Sequence, residues 1–510
     1  MRQRQRGMAR SGLIILLIIA AAITVLFLLP TPKSGKATVA STPETNSAPA
    51  NCLAVPRDFS LPRVKASAAP ASVWRSWTYE PGVTLTATPA AALVDQPVNL
   101  RVNGLHAGEP VTLHASMRDY KGRNWSASAT FLADSHGDVD VAKAAPVYGS
   151  YSGTHPMGLI WSMLPQNVKD PQGILYASAD SGYTIQLEAR ADKRILAKAM
   201  LTRTLQAPGV TRTMVNSDGL VGELYTPATP GLHPAVIVLG GSEGGLYPQV
   251  QEAALLASHG YTALGLAYFQ GFENHDLRLV HLPKLLMNIP LEYFVKATGW
   301  LKQQRGVDPR HVAIMGWSKG AEAALITAAT FPKEFQAVIA FMPSSVVWSG
   351  IEYGPGPISS SWTLHGKPLP WVNPVIDPAM FAPGKPLVFL GAYRAGLKDA
   401  KAVAKAVIPA ERIAGPVLLV SASDDQIWPS PLMANQIMQR LAAQHHAYAG
   451  ESLCYAGAGH AILPPYRPAN ASIVAVPGGS FAFGGNPTAY AYADANAWRK
   501  VLAFLHTALY

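Results

Sequence analysis

A serine between two glycines, a pair of aspartates and a histidine in a glycine loop follow one another, in that order, through the second half of this 510-residue chain. The serine lies in Gly316-Trp317-Ser318-Lys319-Gly320, a G-x-S-x-G pattern that arises by chance in roughly one chain in six of this length when Gly and Ser are each near 7%. Context lifts it above chance. The apolar run 311–315 (HVAIM) leads into it and a run of helix formers, 321–329 (AEAALITAA), leads out. That is a sharp strand-to-helix turn, which needs flanking glycines because its backbone is strained and closely approached. It lifts the hydroxyl over the carboxyl ends of the strands.

A serine hydroxyl is a poor nucleophile until a base takes its proton. Around such a turn the partners follow in the order serine, acid, histidine. Asp424 and Asp425 directly follow the apolar run 416–421, where an acid must project from a strand end. His460 closes Cys454-Tyr-Ala-Gly-Ala-Gly459-His460 after the next strand-like run. His460 is therefore expected as the base, and Asp425, four residues ahead of Pro429, as the acid that fixes the imidazole tautomer. Asp424 is expected as a solvated or helix-capping carboxylate.

The tetrahedral intermediate needs N–H donors: the backbone of Lys319 and the loop Gly240-Gly241-Ser242-Glu243-Gly244-Gly245 after the run 235–239, with Gly241 and Ser242 as candidates. This loop lacks the Lys-Ser/Thr of a phosphate-cradling P-loop. No histidine–carboxylate spacing of a zinc site occurs, and the chemistry calls for neither metal nor cofactor.

The elements that must hold these groups are legible as a change of pattern. After Gly219, continuous apolar runs (235–239, 262–266, 312–315, 337–341, 417–420) alternate with helix-length segments. Runs without alternation are strands buried on both faces, and the helices between them make the sheet parallel. Residues 209–510 are expected to form an α/β unit, an α/β-hydrolase domain with a mostly parallel sheet. The Pro-, Gly- and aromatic-rich stretch 349–408 interrupts that rhythm and reads as a lid over the site or an ordinary long excursion. Residues 76–208 alternate apolar and polar side chains in short runs (83–87, 98–102, 111–115) between turn signals, which suggests an antiparallel, immunoglobulin-like sandwich.

The beginning of the chain has another character. Arg2, Arg4, Arg6 and Arg10 precede the run 13–29, apolar apart from Thr24. Seventeen residues suffice to cross a bilayer core of about 30 Å, and the basic flank places the N-terminus in the cytoplasm. Residues 1–30 thus read as a transmembrane anchor with the body on the periplasmic or extracellular side. A cleaved signal peptide is the alternative, its candidate site at Thr38-Val39-Ala40. Residues 31–75, rich in Pro, Ser and Ala, read as a flexible tether. Residues 1–75 hold ten basic side chains against two acids, so they carry eight of the ten net positive charges. The remainder is near neutral, and neither a basic face nor a nucleic-acid motif appears. Of the two cysteines, Cys52 falls in the tether and Cys454 in a strand-like run. Free thiols are expected, although an exported protein would permit a disulfide.

These residues also carry a family resemblance. From about Val83 to Tyr510 the chain resembles the acyl-CoA thioesterase / bile acid-CoA:amino acid N-acyltransferase family. The matches include Gly316-Trp-Ser-Lys-Gly-Ala-Glu322, the loop 240–245, Leu266-Ala-Tyr-Phe269, Asp424-Asp-Gln-Ile-Trp-Pro-Ser430, and Gly459-His460 followed by Pro464-Pro-Tyr466. In the first domain they include Asp95-Gln-Pro-Val98, Arg118-Asp119 and Pro156-Met-Gly-Leu-Ile-Trp161. The resemblance implies a small-molecule acyl-CoA thioester as substrate, with Ser318, Asp425 and His460 at the family's nucleophile, acid and base positions. The family's amino-acid transferases carry cysteine as nucleophile. Serine here implies hydrolysis, with an exported carboxylic-ester hydrolase or acyltransferase, using the same triad on a non-CoA substrate, as the alternative. A non-catalytic binding role for the sandwich is disfavoured by the complete triad.

Overall fold

Strands that are apolar on both faces need cover on both faces, and the second half of the chain supplies it. The computed structural model describes residues 52–56, 69, 71–74, 77, 81–166, 182–247, 249–271, 276–351, 356–476 and 479–510. Its largest sheet has eight strands: β1 (Thr211–Ser217), β2 (Leu220–Thr226), β3 (His233–Leu239), β4 (Thr262–Ala267), β5 (Val307–Trp317), β6 (Ala337–Phe341), β7 (Val417–Ala422) and β8 (Gly450–Tyr455). Their spatial order is β1-β2-β4-β3-β5-β6-β7-β8. β1 and β2 form a hairpin, β2 runs antiparallel to β4, and every later pair is parallel.

Alternate side chains of these strands serve two separate cores. Val236, Val238, Ala313, Met315, Ile339, Leu418 and Val420 pack towards α1 (Gln249–Ser258) and the C-terminal helix Pro487–Leu509. Ala235, Ile237, Leu239, Val312, Ile314, Val338 and Leu419 pack towards α2 (Leu291–Lys302), α3 (Lys319–Thr330) and the helix Ser430–Ala443. All the β3 residues from Ala235 to Leu239 are fully buried. At about 1.5–3 kcal/mol for each buried Val, Leu or Ile, this sheet is the rigid base on which the site stands.

The described residues between 84 and 204 form two sheets that share one core, with Leu85 and Val102 on one side and Leu113, Trp125, Phe131, Ile185 and Leu201 on the other. Pairing is antiparallel except where Thr202–Thr204 run parallel to Ala91–Leu93. The motif residues of this domain have structural tasks. Asp119 accepts the indole N–H of Trp125 and the backbone and side-chain N–H of Arg123. Asp95 reaches the second domain, accepting Trp498 Nε1 at 2.8 Å and lying 2.5 Å from His259 Nε2. The sandwich is thereby fastened to α1 and to the C-terminal helix.

The expected free thiols are corrected: Cys52 and Cys454 form a disulfide across 402 residues of sequence. The reason is local. Leu53 adds to the edge of β8, donating its N–H to Cys454 O (2.6 Å) and accepting that of Ala456 (3.0 Å). This short addition brings Cys52 beside Cys454, so this part of the supposed tether is ordered edge strand. Residues 13–29, the cleavage candidate and most of 31–75 lie outside the described residues. Among those described, no helix is long and apolar enough to cross a membrane.

Candidate active site

Ser318 stands between β5 and α3, at φ 53° and ψ −115°. A non-glycine residue holds such a backbone only where its surroundings enforce it. Here they do. A Cβ on Gly316 would lie 2.3 Å from Gly320 backbone atoms, and one on Gly320 would lie 2.2 Å from Gly240 O. Both glycines are therefore required for the elbow to close against the β3 loop. The Trp317 ring stacks on Phe341 and its indole N–H donates to Ile462 O at 3.0 Å. The Ser318 turn is in this way tied to the loop that carries His460.

The strand ends bring the three chemical groups together. His460 Nε2 lies 2.9 Å from Ser318 Oγ, and His460 Nδ1 lies 2.9 Å from each carboxylate oxygen of Asp425. An ionised carboxylate only accepts, so Nδ1 carries the proton and Nε2 is left to accept from the serine hydroxyl. Asp425 also accepts the N–H groups of Ile427 and Trp428 and the hydroxyl of Ser430. These bonds fix a carboxylate that is only 3% exposed. Trp428 and Phe483 pack edge-on to the imidazole. Asp424 faces elsewhere and, contrary to expectation, neither caps a helix nor stands free. It accepts Gly485 N–H (2.8 Å) and Gln426 Nε2 (2.6 Å), stitching the acid loop to the loop before the last helix.

Lys319 opens α3, so its backbone N–H has no intrahelical acceptor and sits beside Ser318. The β3 loop stands opposite: a Cβ built on Gly241 would be 3.3 Å from Ser318 Cβ. Tyr268 O–H holds the carbonyls of Gly240 and Gly241, and Gln249 Nε2 holds Gly245 O. The Gly241 N–H donates to Glu243 Oε1 at 2.7 Å. Ser242 is partly exposed beside it, with the remaining candidate backbone N–H.

Beneath the elbow lies an ion pair that the motif reading leaves unassigned. Lys319 Nζ donates to Glu322 Oε2 at 2.8 Å, with side-chain exposures of 2% and 0%. Glu322 Oε1 accepts Trp348 N–H (3.0 Å) and Trp362 Nε1 (2.8 Å), while the Lys319 ammonium sits over the Trp362 ring. Burial pushes the Glu322 carboxyl up and the Lys319 ammonium down, and their mutual attraction opposes both shifts. Trp348 and Trp362 border or belong to the excursion 349–408. Its helix Leu390–Gly396 places Tyr393 against Trp348 and Trp428, and Trp428 touches His460. The excursion thus packs on both the elbow and the acid loop. The signals for the additional residues were the Glu closing the Gly-Trp-Ser-Lys-Gly-Ala-Glu run and Ser430 closing the aspartate motif.

Glu252 on α1 offers a separate check on this region. Its carboxyl is fully buried and neither oxygen has a hydrogen-bond partner among the described residues. Burial raises it to about 8, against an opposing attraction to Arg467. The folded protein therefore keeps this proton at pH values where the unfolded chain has lost it, so stability falls as pH rises from the ordinary carboxylate range to about 8. Glu252→Gln removes that slope. Its unfolding free energy is expected to gain on the wild type's between pH 5 and pH 8 by up to about 1.4 kcal/mol per pH unit, seen as a growing margin in thermal midpoint. Parallel melting curves with the same pH dependence would refute the buried-acid account.

Two family descriptions match the chain: acyl-CoA thioester hydrolase/BAAT N-terminal region over residues 95–217, and BAAT / acyl-CoA thioester hydrolase C terminal over residues 289–510. The chain is 32% identical over 440 residues to acyl-coenzyme A thioesterase 1 of Rattus norvegicus, covering 84% of this chain and 97% of that one. It is 31% identical over 437 residues to acyl-coenzyme A amino acid N-acyltransferase 1 of Mus musculus, covering 83% and 97%. Among solved structures, a putative dienelactone hydrolase from Klebsiella pneumoniae aligns at 18% identity with a TM-score of 0.35, over 58% of this chain and 98% of that one. That likeness is too slight to argue from.

Proposed function

This chain belongs to the family of acyl-CoA thioester hydrolases and BAAT proteins, and from that premise we propose that it hydrolyses acyl-CoA to free acid and CoA through Ser318. The observation that carries the proposal is the unbroken contact from Ser318 Oγ through the His460 ring to Asp425 at the ends of β5, β7 and β8. Ser318 Oγ attacks the thioester carbonyl while His460 Nε2 takes its proton. Asp425 stabilises the resulting imidazolium. The oxyanion is received by the N–H groups of Lys319 and of the loop at Gly241 and Ser242. The C–S bond breaks, the thiol of CoA leaves with the proton from His460, and an O-acyl serine remains. Water, deprotonated by the same nitrogen, then releases the acid. Serine as nucleophile favours water as acceptor, because an oxygen ester is less readily attacked by an amine than a thioester.

The disulfide favours a second reading for the substrate. Disulfides persist in oxidising compartments, and with the basic and apolar start of the chain Cys52–Cys454 supports a membrane-anchored body outside the cytoplasm. Acyl-CoA is scarce there, and a carboxylic ester or another thioester would replace it. Steady-state kinetics against acyl-CoA thioesters of rising chain length and matched p-nitrophenyl esters decide between them. A much higher kcat/KM for the CoA thioesters supports the first reading. Turnover of simple esters without preference for CoA supports the second. Protease added to intact cells cuts an outward-facing body; protection until lysis would contradict that placement.

A further inference from the structure

The Gly241 N–H that the thioester oxygen needs is already occupied. Glu243 Oε1 accepts it at 2.7 Å, and the position where Gly241 would carry a Cβ lies 2.8 Å from Glu243 Oε2 and 3.3 Å from Ser318 Cβ. The carboxylate therefore stands on the side of the loop that faces the nucleophile. The glycines make this approach possible, since a side chain at 240 would meet Glu243 Oε1 at 2.7 Å. A carboxylate oxygen on a backbone N–H has the charge and contact distance of the oxyanion that forms during acyl transfer. Glu243 is at the same time solvent-accessible, so it can swing outward without disturbing the core. The loop backbone is held independently of that carboxylate, because Gly245 N–H donates to Phe269 O at 3.1 Å.

We propose that Glu243 is a displaceable occupant of the oxyanion site, holding the Gly241 N–H in the free enzyme until the substrate carbonyl takes its place. This rests on the reading of Ser318 as nucleophile and adds a residue that sets how readily any acyl substrate reaches the donors. The site is preorganised by an internal anion, so its donors are aimed correctly before substrate arrives. The same contact stabilises the free enzyme against the bound states and lowers kcat/KM. Desolvation raises the Glu243 carboxyl, and the backbone N–H groups of Glu243 and Gly241 are the first to oppose that rise.

The test uses the full chain with Glu243→Ala and Glu243→Gln, assayed on p-nitrophenyl butyrate at the plateau of the pH profile. Phenylboronic acid serves as a tetrahedral-adduct inhibitor. Glu243→Ala is expected to raise kcat/KM about tenfold and to tighten boronate inhibition by a similar factor. Glu243→Gln, whose neutral amide oxygen accepts more weakly, is expected to fall between alanine and wild type. Unchanged values in both variants would show the carboxylate to be a bystander and overturn the proposal. Lower kcat/KM with weaker boronate binding, in variants with wild-type melting temperature, would make Glu243 a support of the loop and overturn it equally. Ser318→Ala is measured alongside: hydrolysis that survived it would defeat the triad and the gate together, whereas its loss with an unaltered Glu243 series would defeat the gate alone.

Discussion

Asp425→Asn is expected to lower kcat by about 10⁴ while leaving KM within a few-fold, whereas Asp424→Asn, one residue away, changes kcat less than tenfold. The asymmetry follows from what each carboxylate touches. Asp425 meets His460 Nδ1 at 2.9 Å through both oxygens and is fixed by Ile427, Trp428 and Ser430. An amide there can present N–H to Nδ1, which moves the ring proton to Nε2 and removes the acceptor for Ser318. It also leaves the imidazolium of the transition state without its counter-charge. Asp424 instead accepts from Gly485 and Gln426, so its amide loosens a loop and reaches no reacting atom. Steady-state kinetics with melting curves check both variants. Equal losses, or a larger loss at position 424, would reassign the acid.

The second large effect concerns the ion pair under the elbow. Glu322→Ala is expected to reduce stability by about 3–5 kcal/mol, because it leaves the Lys319 ammonium buried without its partner. The indole N–H of Trp362 and the backbone N–H of Trp348 lose their acceptor as well. Replacing both charges with apolar residues, as in Lys319→Met with Glu322→Leu, should recover most of the stability. It should not recover activity. The pair also holds the excursion against the elbow through Trp348 and Trp362, so kcat stays depressed while urea unfolding returns towards wild type. Equal recovery of both would reduce the pair to a packing element.

Much of the candidate site could be read from the sequence because Ser318 and Asp425 sit just beyond uninterrupted apolar runs and His460 sits in a glycine loop after a strand-like one. The runs at 312–315 and 417–420 become β5 and β7, the strand-like stretch around Cys454 becomes β8, and Ser318, Asp425 and His460 follow them. A buried strand states its own position, and so does the loop it ends in. What stayed hidden depends on contacts between distant segments. Cys52 meets Cys454 only because Leu53 extends the edge of β8, and nothing in either local sequence announces that pairing. The choice between Asp424 and Asp425 turns on the direction of two adjacent side chains, and Gly485 engages Asp424 from 61 residues away. The β1–β2 hairpin was missed because β1 is mostly exposed and has no continuous apolar run. Glu243 lay within the motif quoted for the oxyanion loop. Its carboxylate turns back on Gly241, a matter of rotamer that composition does not reveal.

The most direct test of the account is a single-turnover reaction with an acyl-CoA, quenched in acid on the millisecond scale and mapped by peptide mass spectrometry. A transient gain of one acyl group is expected on the peptide that contains Ser318, rising with release of CoA and decaying as free acid appears. Ser318→Ala should give neither adduct nor CoA release. An acyl group found on another residue, or CoA released by Ser318→Ala at the wild-type rate, would contradict it.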